Sequence, residues 1–160
     1  MSDYILSSSS TADITQAEFD ARDIRYICYH YIIDGVHMID DLGKSMPIST
    51  FYERMQGGAE TSTSQVNADE YEKYFEQFLK EGKDVLHLTL SSGISGSYNS
   101  ALIAKDMLKE KYPDRKLYIV DSLAASSGGG LLVDKLADLR DEGMTIDELR
   151  AWAEENKLRL

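Results

Sequence analysis

Three stretches of small polar residues stand where apolar runs end. Ile5-Leu6 leads into Ser7 to Ser10. Leu88-Thr89-Leu90 leads into Ser91-Ser92-Gly93-Ile94-Ser95-Gly96-Ser97. Ile119-Val120 leads into Asp121-Ser122 and then Ser126-Ser127-Gly128-Gly129-Gly130. The chemistry on offer is that of hydroxyls and backbone amides. In an open α/β sheet, ligands bind outside the carboxyl ends of the strands. The second and third stretches also lead into helices, whose first N–H groups lack partners and attract anions. Small residues let the backbone approach a ligand closely. The pattern reads as an anion site without a cationic side chain in these loops. Serine and glycine also fill strand-to-helix turns for conformational reasons alone. The reading therefore depends on all three stretches meeting at one sheet edge.

Other chemistry is present only in fragments. Gly43-Lys44-Ser45 resembles the end of a phosphate-binding loop, but Met38 stands where that loop needs glycine. Gly128-Gly129-Gly130 lacks the dinucleotide spacing, since Val133 occupies the third glycine position. Ser95, His87 and Asp121 make a nucleophile, base and orienting acid on paper, yet no G-x-S-x-G elbow carries the serine. His87 lies within an apolar strand and reads as structural. His30 and His37 have no ligand spacing to a third group, and no metal site is expected. Cys28 reads as a small buried hydrophobe. The acidic pairs Asp40-Asp41 and Asp141-Glu142 read as solvated surface.

The chain that must position these groups has 160 residues, enough for one compact domain. Seventeen Lys and Arg against 28 Asp and Glu leave a net charge of −11. That sign excludes a phosphate-backbone binder, which needs clustered cations, so no nucleic-acid partner is expected. It also argues against a polybasic membrane-surface protein. A single cysteine permits no intrachain disulfide and no multi-cysteine metal site. Met1 to Leu6 has no basic start followed by a long apolar run, so no signal peptide is expected. No run approaches the length of a membrane span. A cytoplasmic protein, not integral to a membrane, is the expectation.

Periodicity places the elements. Tyr4-Ile5-Leu6 reads as a buried strand that stops at the serines. Thr11 to Asp23 reads as a short helix. Ile24 to Ile33 has strand composition, with Ile24, Tyr26, Cys28, His30 and Ile32 on one face. Asp34-Gly35 is a hairpin signal before Val36 to Ile39. Thr50 and Glu53 resemble a capping box, with Gly57-Gly58 closing that helix. Ala68 to Glu81 is the clearest helix: Asn67 caps it, and Tyr71, Tyr74, Phe75, Phe78 and Leu79 form one apolar stripe. That stripe reads as core. Strands over Val85 to Leu90 and Leu117 to Val120 alternate with helices over Tyr98 to Tyr112, Leu131 to Glu142 and from Thr145 onward. Alternation of this kind implies a parallel sheet flanked by helices, a three-layer α/β/α domain over residues 1–160.

At the loops the sequence becomes similar to a known family. Thr63-Ser64-Gln65, then Ser91 to Ala101, then Ile119-Val120-Asp121-Ser122 resemble the DegV family. Its pattern is a T-S-Q segment, an S-S-x-L-S-G-T-Y loop and an apolar-x-D-S strand end, in that order. The resemblance runs over nearly the whole chain. It implies the first lobe of a DegV-type fold and binding of a long-chain fatty acid, with no cofactor and no catalytic residue. It also implies presentation of the carboxylate to a separate fatty acid kinase protein. Carried over by motif, Thr63 and Ser95 would hydrogen-bond the carboxylate. Ser92, Gly96 and Ser97 would shape the loop, and Ser64 is a neighbour. Ser9-Ser10 replaces the family's Asp-Ser pair after the first strand, while Asp13 matches the later acid. Ser97 replaces the usual threonine and keeps a hydroxyl. Members of the family continue into a second lobe beyond the point where this chain ends. Apolar surface facing that lobe would favour a homodimer. Two other readings stay open: a serine-dependent hydrolase or phosphate-handling domain centred on Ser95, and a truncated interaction module without a ligand.

Overall fold

Leu86 and Leu88 face one helical layer while Val85 and His87, alternating with them, face the other, because strand side chains alternate. This alternation organises the computed structural model, which describes residues 4–159. Met1–Asp3, half of the segment read for a signal peptide, and the terminal Leu160 lie outside the described residues. In chain order the elements begin with β1 (Tyr4–Ser9), a 3-10 turn (Ser10–Ala12), α1 (Gln16–Ala21), β2 (Ile24–Ile27), β3 (His30–Ile33) and β4 (Val36–Ile39). They continue with α2 (Ile48–Gln56), β5 (Thr61–Ser64), α3 (Ala68–Lys80) and β6 (Asp84–Thr89). The last are α4 (Ser97–Lys111), β7 (Leu117–Asp121), α5 (Ser127–Asp141) and α6 (Ile146–Asn156).

The main sheet is parallel throughout, in the order β2-β1-β6-β7. Helices α1, α5 and α6 cover one face through Phe19, Leu132, Val133, Leu136 and Leu149. Helices α3 and α4 cover the other through Tyr71, Phe75, Leu79, Ala104 and Leu108. The three-layer α/β/α arrangement is therefore present. From β1 the chain turns to one side, to β2, and from β6 to the other, to β7. The crevice between the carboxyl ends of β1 and β6 is the topological switch point, where ligands bind in sheets of this kind.

A second, antiparallel sheet in the order β4-β3-β5 was not anticipated. The predicted single strand Ile24 to Ile33 is broken between β2 and β3. Tyr29 is the reason: its N–H donates to Ser10 Oγ at 3.0 Å and its carbonyl accepts Asp40 N–H at 2.8 Å. Those bonds hold Tyr29 across the sheets, so Ile24 and Ile32 do not share one face. The Asp34-Gly35 hairpin is present, with positive φ at both residues (51° and 77°). Strand β5 pairs with β3, matching Thr63 to Tyr31.

Three local expectations need correction. The strand does not stop at Ser7 in a polar loop: β1 runs on to Ser9, and all four serines from Ser7 to Ser10 are buried. Their hydroxyls find partners inside, Ser7 on His87 and Tyr74, Ser9 on Thr11, Ser10 on Tyr29. Thr50 does not cap a helix, because α2 starts two residues earlier behind Pro47, whose fixed φ suits a helix entry. The helix predicted from Leu131 starts at Ser127, so the three glycines lie in its first turn. Gly130 is required there, since a side chain would overlap the Ala12 carbonyl. By contrast, the Asn67–Glu70 and Thr145–Glu148 capping boxes are both formed.

Candidate functional site

The carboxyl ends of β1, β6 and β7 bring the three serine-rich stretches to one edge of the parallel sheet. Asp121, the last residue of β7, ties two of them together. Its Oδ1 accepts the N–H of Ser92 and of Leu123, each at 3.1 Å. The Ser91 N–H donates to the Ala124 carbonyl at 3.0 Å, adding a second tie. A carboxylate accepting backbone N–H groups is a strong anchor for paired loops. Ser92 thus gives its amide to the Asp121 carboxylate.

Ser95 and Ser97 form a compact unit at the head of α4. The Ser95 hydroxyl donates to Ser97 Oγ at 3.0 Å and accepts the Ser97 N–H at 3.2 Å. Ser95 is half-buried and Ser97 is fully buried. Gly96 between them is exposed, and the end of the Gln65 side chain lies against its α-carbon. This contact brings the Thr63-Ser64-Gln65 segment onto the Ser95-Gly96-Ser97 loop. Thr63 and Ser64, at the end of β5, are exposed.

Thr63 borders an open cavity of about 300 Å³ between the antiparallel sheet, α2 and the serine edge. Tyr31, Ile39, Met46, Ile48, Phe51 and Tyr52 supply most of its apolar wall. The Phe51 ring packs edge-on against Tyr31, with centroids 5.4 Å apart. Asp13, Asp40 and Asp41 stand at its border. Two of these acids are engaged: Asp41 accepts the Ser45 N–H with both oxygens, and Asp13 accepts the Ser126 hydroxyl. Asp40 and Asp41, read earlier as solvated surface, are half-buried here. His30 also lines the cavity and pairs with Glu70 at 2.7 Å. The cavity border therefore places the Thr63 hydroxyl and three carboxylates beside an apolar wall. Ser95 and Ser97 adjoin it through the Gln65–Gly96 contact and are not part of its wall.

The paper triad is not assembled. His87 Nδ1 is paired with Ser7 Oγ at 2.8 Å, and the ring is fully buried among Tyr71, Tyr74 and Phe75. Burial alone drives its pKa down to about 3, so the ring is neutral and structural. The Asp121 oxygen that could orient a base is given to backbone amides. Among the described residues, no group of three or more His, Cys, Asp or Glu is placed to hold a metal ion. Among the same residues, no helix is long and apolar enough to cross a membrane. Cys28 is half-buried, and burial raises its thiol pKa.

Sequence reasoning missed the orienting role of Asp121, the packing role of Gln65 and the aromatic wall of α2. Asp121 and Gln65 both stood inside the quoted motifs, so the signal was present without a geometry to read it. Tyr71, whose hydroxyl lies near those of Tyr29 and Ser97, carried no signal beyond apolar periodicity.

The family profile described as "Uncharacterised protein, DegV family" matches residues 8–160. A DegV domain-containing protein of Clostridium perfringens is 39% identical over 160 residues, 100% of this chain and 55% of its own length. A Thermotoga maritima protein whose structure reveals a fatty acid binding function superposes with a TM-score of 0.83 at 30% identity. That match covers 98% of this chain and 55% of the other. The Streptococcus pneumoniae fatty acid kinase B3 protein, loaded with linoleic acid, superposes with a TM-score of 0.77 at 25% identity, covering 98% and 54%. The chain spans about half the length of the curated relatives it matches.

Proposed function

Because the chain belongs to the DegV family, we propose that it captures a long-chain fatty acid and presents the carboxylate to a fatty acid kinase protein. The observation that carries this reading is the shared fold and 30% identity with a protein of fatty acid binding function. Thr63 and Ser95 are the proposed head-group donors. Ser64, Ser92, Gly96 and Ser97 shape their surroundings. The apolar wall beside Thr63 supports the same reading.

Neutral donors suit this ligand. Hydroxyls can satisfy a carboxylate without burying a fixed positive charge beside an acyl chain. Selectivity for the acid then comes from donor geometry, and affinity from the tail. Each buried methylene contributes about 0.8 kcal/mol before ordering costs. In this role the protein holds the acid and the kinase supplies the chemistry. The proposed setting is the cytoplasm, where both would meet. The remainder of the family's length would complete the acyl site. Val36, Ile39, Ile48 and Tyr52, each more than half exposed, form the surface proposed to mediate self-association of this chain.

Native mass spectrometry of the purified chain, followed by denaturation and lipid extraction, tests the reading. One long-chain acid per chain is expected, lost in the Thr63→Ala/Ser95→Ala double variant. A ligand-free mass that resists loading with added acid rejects it. The same spectra report a dimer, and a strictly monomeric mass at high concentration rejects self-association.

A further inference from the structure

Two buried phenols end where no hydrogen bond meets them. Tyr71 in α3 is fully buried and Tyr29 nearly so, and neither hydroxyl has a partner. Buried polar groups are almost always paired, so such hydroxyls call for an explanation. The Tyr71 hydroxyl faces the hydroxyls of Tyr29 and Ser97 without closing a bond to either. Ser97 opens the fifteen-residue helix α4 and already receives the Ser95 proton. Tyr29 in turn borders the cavity that contains Thr63. The hydroxyls of Tyr29, Tyr71, Ser97 and Ser95 therefore form a file that ends at the proposed head-group position.

We infer that Tyr71, backed by Tyr29, is a positioning residue for the acid head group, its hydroxyl replacing Ser95 as the donor to Ser97 Oγ when Ser95 turns its proton to the carboxylate. This rests on the proposed fatty acid reading. In this structure the Ser95 O–H donates to Ser97 Oγ at 3.0 Å. A carboxylate accepts only, so Ser95 must rotate its O–H outward. Ser97 Oγ then lacks a donor, and the Tyr71 O–H supplies one. Tyr29 follows by donating to Tyr71. Every O–H bond stays intact and only the hydroxyls rotate, so no proton changes owner. Donors aligned in series toward one anion strengthen one another in a low-dielectric interior. Burial holds the Tyr71 phenol well above its ordinary pKa, which keeps it a donor.

The test compares oleate with oleyl alcohol, which carries a similar tail and no charge, titrated into the intact chain. Tyr71→Phe is expected to weaken oleate by roughly three- to tenfold and leave the alcohol unchanged. Tyr29→Phe gives a smaller loss in the same direction. Tyr74→Phe is the control: its hydroxyl pairs with Ser7 at 2.7 Å, so the oleate-to-alcohol ratio stays at the wild-type value. Without ligand, Tyr71→Phe melts at or above the wild-type temperature, since the hydroxyl removed was unpaired. An unchanged ratio in Tyr71→Phe, or a clearly lower melting temperature without ligand, overturns the inference. If wild type binds oleate and Ser95→Ala weakens it while Tyr71→Phe does not, only the Tyr71 role falls. If wild type takes up no oleate, the head-group reading falls and this inference with it.

Discussion

The side-chain amide of Gln65 lies on the α-carbon of Gly96, where an added methyl would overlap Oε1 and come within 3.0 Å of Cδ and Nε2. This contact couples the strand that carries Thr63 to the loop that carries Ser95. All three atoms belong to the end of a flexible, exposed side chain, which can swing away. Gly96→Ala is therefore expected to move the melting temperature by no more than about 2 °C. It also separates the two segments, and oleate affinity is expected to fall. Gly130→Ala is the contrast, because its methyl meets the Ala12 backbone carbonyl and Ile14. That variant is expected to lose about 1–3 kcal/mol of stability. Urea melts and oleate titrations of both variants check the pair; equal stability losses would refute the distinction.

His87 makes stability depend on pH in a definite window. Its folded pKa is lowered from 6.5 to about 3 by burial. The unfolded chain binds this proton first, so stability is full above about pH 6.5 and declines as pH falls toward 3. The full effect is on the order of several kcal/mol. Carboxylates lowered by hydrogen bonds, such as Glu148 by Thr145, add losses in the same direction, starting nearer their lower ordinary pKa. His87→Gln should flatten the slope between pH 6.5 and 4.5, and urea melts across that range measure it. An unchanged slope would mean that folded and unfolded chains bind this proton equally and that burial does not lower the pKa of the ring.

Arg140 of α5 closes the end of α1 within the same helical layer. Its guanidinium donates to the carbonyls of Asp23 at 2.8 Å and Arg22 at 2.6 Å, and pairs with Asp141 at 2.9 Å. The side chain is buried, so its loss leaves two carbonyls without these donors. Arg140→Ala is expected to cost about 2–3 kcal/mol, and Arg140→Lys less, since one ammonium replaces the fork. Thermal melts of both variants decide. Equal losses would show that the stem and a single ammonium contribute nothing without the fork.

Local chemistry made some elements legible in the sequence. Helix α3 was readable because Asn67 and Glu70 close its first turn and its apolar stripe keeps helical spacing. The hairpin at Asp34-Gly35 was readable because few residue pairs tolerate two positive φ values. Strand β5 was not, since Thr61 to Ser64 has no apolar alternation and owes its form to pairing with β3. The break at Tyr29 was hidden for a similar reason: it depends on Ser10 and Asp40, which are distant in sequence. At the site, residue types were legible and partnerships were not. Asp121 looked like a possible acid and acts as a clasp for backbone amides.

The antiparallel sheet and α2 are inserted whole between β2 and α3, held at their roots by the buried residues Tyr29 and Val66. Every strand of the parallel sheet lies outside that interval. Residues 30–64 therefore behave as a cassette: another member's segment could be grafted there without rewiring the parallel sheet. Thr63 and the aromatic wall would travel with the graft, while Ser95 would stay behind. Chimeras across this boundary would partition selectivity between the cavity wall and the Ser95 loop.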